Sequence, residues 1–287
     1  MQFRARQVML ALAVLSLLSP SYTQAELLEV APQVKLYCEI SGEGTPLLFV
    51  PGWTMTSGIW KEQVAAFSKT HRVVVIDPRG QGNSTKVLSG NTLNQQARDL
   101  RRVMEILQLD GVTVVVWSMA VAVALEYVNQ FGNDRLKALV LVDGSPSMVK
   151  KEDWPHGLTP EDTHKLITDW EDHRMARTNE LVDGMFKTER TESELEWIVK
   201  EAMRTPTTVS AIMGFDYFSG DRRLLVSKIG VPTLILMTSE NQSIGEFLKS
   251  QVSKSELTIF EGLGHAMFLE DPKRFNERLA AFLQSIE

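Results

Sequence analysis

Val112-Thr113-Val114-Val115-Val116-Trp117, followed at once by Ser118-Met119-Ala120, is the stretch on which the fold turns. An unbroken β-branched run with no polar alternation reads as a strand buried on both faces, the habit of a parallel sheet covered by helices. The segment from Met119 to Phe131 has helical period, so Ser118 stands at a strand-to-helix turn. Outward from it, Leu47 to Val50, Val73 to Ile76, Ala138 to Val142, Thr233 to Met237 and Leu257 to Phe260 read as further strands. Thr92 is placed to N-cap a helix whose inner face is Leu93, Ala97, Leu100, Val103 and Leu107. A last helix is predicted from Pro272 to Ile286, with Phe275, Leu279, Phe282 and Leu283 at helical spacing. This alternation predicts an α/β fold with a mostly parallel sheet flanked by helices.

The alternation fails between Gly144 and Lys228, where Trp154, Trp170, Trp197, Met185 and Phe218 lie among many charges and no buried strand can be picked out. A helical insertion between two sheet strands accounts for it, and it would cover the carboxyl ends of the strands, where open α/β sheets place their ligands. The organisation expected is a core in two parts, 26–143 and 229–287, with a helical lid over 144–228. The first 25 residues stand apart. Arg4 and Arg6 precede an apolar run from Val8 to Leu18 and small residues up to Ala25, the pattern of a secretory signal cleaved near Ala25. That run is too short for a bilayer span, which needs about 20 residues. An exported protein, periplasmic or secreted, with no stable membrane span after signal removal is therefore expected.

Composition narrows the function. Of 287 residues, 44% are hydrophobic and 23% charged, and 36 acidic against 30 basic side chains leave a net charge of −6, which offers no footprint for nucleic acid. Cys38, the one cysteine, sits on the apolar face of the alternating run from Val34 to Ile40 and reads as a buried, inert thiol. The histidines, at 71, 156, 164, 173 and 265, show no metal-ligand spacing, so no metal is expected.

A serine hydroxyl becomes a nucleophile only when a base takes its proton, and an exposed serine on a tight strand-to-helix turn needs a histidine and an acid brought from elsewhere. Ser118 has that context, although Val116 and Ala120 stand where a nucleophile elbow carries glycine, G-x-S-x-G. Three further turns follow strands: Pro51-Gly52-Trp53, Asp77-Pro78-Arg79-Gly80-Gln81-Gly82-Asn83-Ser84 and Gly262-Leu263-Gly264-His265. In this order, from about Val34 to Phe282, the set resembles the α/β-hydrolase superfamily. Pro51 to Trp60, the W-S-M core and the G-H-x-x-F-x-E ending resemble most the non-haem haloperoxidase and arylesterase branch.

The resemblance implies Ser118 as nucleophile, His265 as general base, and the main-chain N–H groups of Trp53 and Met119 as an oxyanion hole. It implies no cofactor. The acid stays open. The place most relatives use falls on Asn241 in Thr238-Ser239-Glu240-Asn241, while other branches place the acid after the preceding strand, here Asp143; Asp143 is the first choice, Glu240 the alternative, and no acid the third possibility. The reading is an exported serine hydrolase that cleaves a small or medium hydrophobic carboxylic ester, thioester or lactone through an acyl-enzyme. The alternative is a degenerate, non-catalytic α/β hydrolase that binds a hydrophobic ligand.

Overall fold

The Val112–Trp117 run is a central strand, buried at every residue. It belongs to an eight-stranded sheet in a computed structural model that describes residues 23–287. The strands are β1 (Gln24–Ala31), β2 (Val34–Ser41), β3 (Thr45–Val50), β4 (His71–Ile76), β5 (Val112–Trp117), β6 (Leu136–Val142), β7 (Thr233–Thr238) and β8 (Ser255–Phe260). They lie in the order β1-β2-β4-β3-β5-β6-β7-β8. From β4 to β8 every pairing is parallel, whereas β2 joins β4, and β1 joins β2, antiparallel. After β3 the chain steps outward to β4 and then returns to β3's other side as β5. The order reverses between β3 and β5, so their carboxyl ends frame the crevice of a doubly wound sheet.

The helices are α1 (Lys61–Phe67), α2 (Leu93–Ile106), α3 (Ala120–Phe131), α4 (Pro160–Asp172), α5 (Arg174–Asp183), α6 (Glu192–Ala202), α7 (Thr207–Phe218), α8 (Gln242–Gln251), α9 (Met267–Glu270) and α10 (Pro272–Ser285). Strand residues alternate between the two sides of the sheet. Leu48, Val50, Val114 and Val116 join the core that α2, α3 and α8 complete, while Leu47, Phe49, Val115 and Trp117 join the core of α1, α9 and α10. Thr92 caps α2 as expected, accepting from the Gln95 N–H. Phe275, Leu279, Phe282 and Leu283 of α10 are all buried, each contributing about 1.5–3 kcal/mol of transfer free energy. Cys38 is fully buried, and burial pushes its thiol up to about 12, which leaves it without thiolate reactivity.

Between β6 and β7 stand α4 to α7 and no strand. Capping boxes at Thr159 and Thr191 start α4 and α6. The insertion's last helix is pinned to the core: Asp216 accepts the Leu93 N–H at the start of α2 (2.7 Å), and Arg222 joins Asp216 to Glu126 of α3 at 2.8 Å each. Strand β1 leaves little trace in the sequence, because it is an edge strand whose first half is exposed. The predicted signal residues 1–22 lie outside the described residues. The expected cleavage point after Ala25 falls two residues into β1, and the pairing from Glu26↔Cys38 to Ala31↔Val34 lies beyond it.

Candidate active site

Three residues with side chains hold left-handed backbone at the carboxyl ends of adjacent strands: Thr54 (φ 64°) after β3, Ser118 (φ 59°) after β5 and Asp143 (φ 42°) after β6. Such backbone is costly for a non-glycine residue and persists where the surroundings over-determine it, which is common at functional sites. The Ser118 N–H extends the sheet by donating to Val142 O (2.9 Å), and the Val121 N–H returns to Ser118 O (3.0 Å), so the turn is tied at both sides.

The missing elbow glycines are accounted for by this geometry. Val116 lies within the sheet opposite Val50 and Leu141, and Ala120 is buried at the start of α3. The crowding at the serine falls on two other glycines. A Cβ at Gly52 would come within 3.0 Å of the Ser118 Cβ, and one at Gly144 within 2.4 Å of both Ser118 O and the Val121 side chain. Gly144→Ala is therefore expected to destabilise the fold by about 1–3 kcal/mol through overpacking. A urea midpoint equal to that of the unmodified protein would show that the elbow has room there.

His265 and Asp143, 122 residues apart, meet at 2.7 Å between Nδ1 and Oδ2. The carboxylate is almost completely buried, and the imidazole side chain is 28% exposed. Burial alone pushes the Asp143 carboxyl up, but hydrogen bonds from His265, the Thr238 N–H and Asn241, with the attraction of His265, outweigh it and hold the group below the usual carboxylate range. Its Oδ1 accepts three donors: Thr238 N–H (2.9 Å), Thr238 Oγ1–H (3.0 Å) and Asn241 Nδ2–H (3.1 Å). A deprotonated carboxylate can only accept, so the proton between the pair belongs to Nδ1; in a neutral imidazole with that tautomer, the free lone pair is on Nε2. Trp117 packs beside the histidine: its indole N–H donates to the main-chain His265 O (2.9 Å), and the two rings lie 5.0 Å apart, tilted by 39°.

Of the two acids offered by the sequence, the structure brings Asp143 to the histidine. Glu240, the alternative, does not reach it; its side chain is 72% exposed and pairs with Lys187 at 2.9 Å. Asn241, in the place where most relatives were expected to carry the acid, serves as a donor to Asp143.

Trp53 and Met119 are both buried. Among the described residues neither of their main-chain N–H groups has a protein acceptor, while the neighbouring Thr54, Met55 and Ser118 N–H groups do. The loop bearing Trp53 is held by Gln81, fully buried, whose Oε1 accepts the Thr54 N–H (2.8 Å) and whose Nε2 donates to Met55 O (3.0 Å). The sequence marked Gln81 only as part of a turn; nothing in its spacing announces this clamp.

Ser118, Asp143, His265 and Trp53 all line one cavity of about 920 Å³, roofed by insertion residues such as Trp170 and Phe218. The Trp53 indole stacks on Trp170 (4.1 Å) and meets Phe218 edge-on (5.5 Å), so the wall beside the serine is aromatic. No helix among the described residues is long and apolar enough to cross a membrane.

Residues 45–272 match the family described as the alpha/beta hydrolase fold. The chain is 27% identical to the non-heme chloroperoxidase CPO-A1 of Kitasatospora aureofaciens, covering 87% of this chain and 96% of that protein. It is 29% identical to a bifunctional esterase/perhydrolase of Acinetobacter calcoaceticus, over 83% of this chain and 91% of that one. Among solved structures, a bromoperoxidase from Bacillus anthracis (TM-score 0.86) and an esterase from Exiguobacterium antarcticum (TM-score 0.87) share the fold, each at 24% identity over 91% of this chain and 100% of the other. With the reversed strand order, the strained turn after β5 and the crevice above it, these matches make the chain a member of the α/β-hydrolase superfamily, on its haloperoxidase- and esterase-like branch.

Proposed function

We propose that this α/β hydrolase is a serine hydrolase that opens small or medium hydrophobic carboxylic esters, thioesters or lactones through an acyl-enzyme. The observation that carries the reading is the 2.7 Å contact between His265 Nδ1 and a buried, deprotonated Asp143 in the cavity that also holds Ser118 at its strained turn. The Ser118 oxygen attacks the substrate carbonyl while His265 Nε2 takes the hydroxyl proton. The resulting oxyanion accepts hydrogen bonds from the Trp53 and Met119 N–H groups. Collapse breaks the bond to the leaving oxygen or sulfur, which receives the proton from the imidazolium. Water then attacks the acyl-enzyme, gives its proton to Nε2, and the acid departs as Ser118 recovers a proton. Asp143 keeps Nδ1 protonated throughout and stabilises the transient imidazolium.

The aromatic wall of Trp53, Trp170 and Phe218 favours an apolar substrate. The basic and apolar pattern of the first 25 residues supports export. Both claims can be read in one experiment on protein recovered from outside the cytoplasm. Its amino terminus should be Glu26, and a fluorophosphonate probe should add covalently to the peptide that contains Ser118, with p-nitrophenyl esters giving a burst of nitrophenol. Labelling at another residue, or none, removes the serine mechanism; failure to find the chain outside the cytoplasm removes export, and an amino terminus at Met1 removes cleavage near Ala25.

A further inference from the structure

Glu270 lies five residues after His265 and belongs to neither the cavity wall nor the proton pathway, yet its carboxylate gathers four donors from two parts of the chain. Oε1 accepts the Lys187 N–H (2.8 Å), the Thr188 N–H (2.8 Å) and the Thr188 hydroxyl (2.9 Å), all in the insertion. Oε2 accepts the N–H of Gly264, the residue just before His265. Burial acts to raise the Glu270 carboxyl, but the N–H donors of Thr188, Gly264 and Lys187 outweigh it and hold it below the usual range, as a charged acceptor.

The two segments joined by this carboxylate are in direct contact. The Ala266 N–H donates to Met185 O at 3.0 Å, and a Cβ at Gly264 would come within 2.5 Å of that same oxygen. Gly184 to Lys187 line the cavity on one side of this seam, Gly264 and His265 on the other. The insertion's wall and the histidine's loop therefore behave as one body, with Glu270 as the fastener.

We propose that Glu270 is a positioning residue for His265, setting the imidazole's place through the Gly264 peptide and coupling it to the Met185–Thr188 wall. The inference rests on the proposed role of His265 as base. A displaced base costs rate rather than binding, and a misplacement of about 1 Å can cost about 100-fold.

Glu270→Gln keeps the shape but turns one acceptor into an NH₂ facing N–H donors. It is expected to lower kcat and the rate of fluorophosphonate labelling by about 10- to 100-fold, with KM nearly unchanged. It should also move the downfield NMR resonance of the His265 Nδ1 proton. Arg190→Ala is the comparison, since Arg190 ties the same seam at Leu269 O (2.7 Å) without touching Gly264; it should leave kcat and the resonance as they are. If Glu270→Gln labels at the wild-type rate, or Arg190→Ala loses as much, Glu270 is an ordinary staple and the inference is overturned. Should Glu270→Gln not fold, Glu270→Asp, which withdraws the charge by one methylene, is judged by the same criteria. Should the wild-type protein not label at Ser118, the hydrolase reading falls by itself, and the Nδ1 resonance alone decides: unmoved in the Glu270 variant, it overturns the inference.

Discussion

Ser118→Ala is expected to lower kcat on p-nitrophenyl esters by about 10⁶, the scale of removing the nucleophile from a serine triad, and to abolish fluorophosphonate labelling. The oxygen that would form the acyl bond is gone, and His265 has no hydroxyl from which to take a proton. The Trp53 and Met119 N–H groups would remain, so a residue of rate over water is expected to persist, about 10³–10⁴-fold. Stability should change little, because the Ser118 side chain faces the cavity and alanine meets the same left-handed backbone. A variant that keeps more than about one-hundredth of the turnover would sit far outside the range for a lost nucleophile and would remove Ser118 from the mechanism.

Asp143→Asn should lower kcat by about 10⁴ with the fold intact. The reason is specific to this site. Oδ1 of Asp143 faces three donors, two from Thr238 and one from Asn241. An asparagine there must turn its one oxygen to those donors and its NH₂ to His265. The ring then has to accept at Nδ1, its proton moves to Nε2, and the nitrogen that should take the serine proton is already protonated. Glu240→Ala should stay within about twofold, since an exposed ion pair such as Glu240–Lys187 contributes little. Steady-state kinetics on both variants tests the assignment; loss in Glu240→Ala with retention in Asp143→Asn would reverse it.

The fold was legible because its central strands and helix faces write their surroundings into composition. Val112–Trp117 is apolar at all but one position because both its faces are covered, and α10 repeats Phe275, Leu279 and Phe282 at helical spacing because one face meets the sheet. Edge strand β1 escaped notice for the opposite reason: half of it meets water, so it carries no continuous apolar signal. The serine and histidine were legible because each follows a strand in a recognisable turn.

The carboxylate beside the histidine was legible only as a choice, Asp143 first and Glu240 second, since both follow sheet strands and sequence distance says nothing of which one points inward. Nor were Gln81 and Glu270 legible as clamps, because each acts mostly on main-chain N–H and C=O groups that almost any residue can supply. Local pattern thus determined the layers, the elbow and its serine, since those depend on burial and turn chemistry within a few residues of chain. Only the folded chain decided which carboxylate reaches the imidazole 122 residues away and which glycines make room for the elbow, since contacts between strand ends are set by the sheet's order and register.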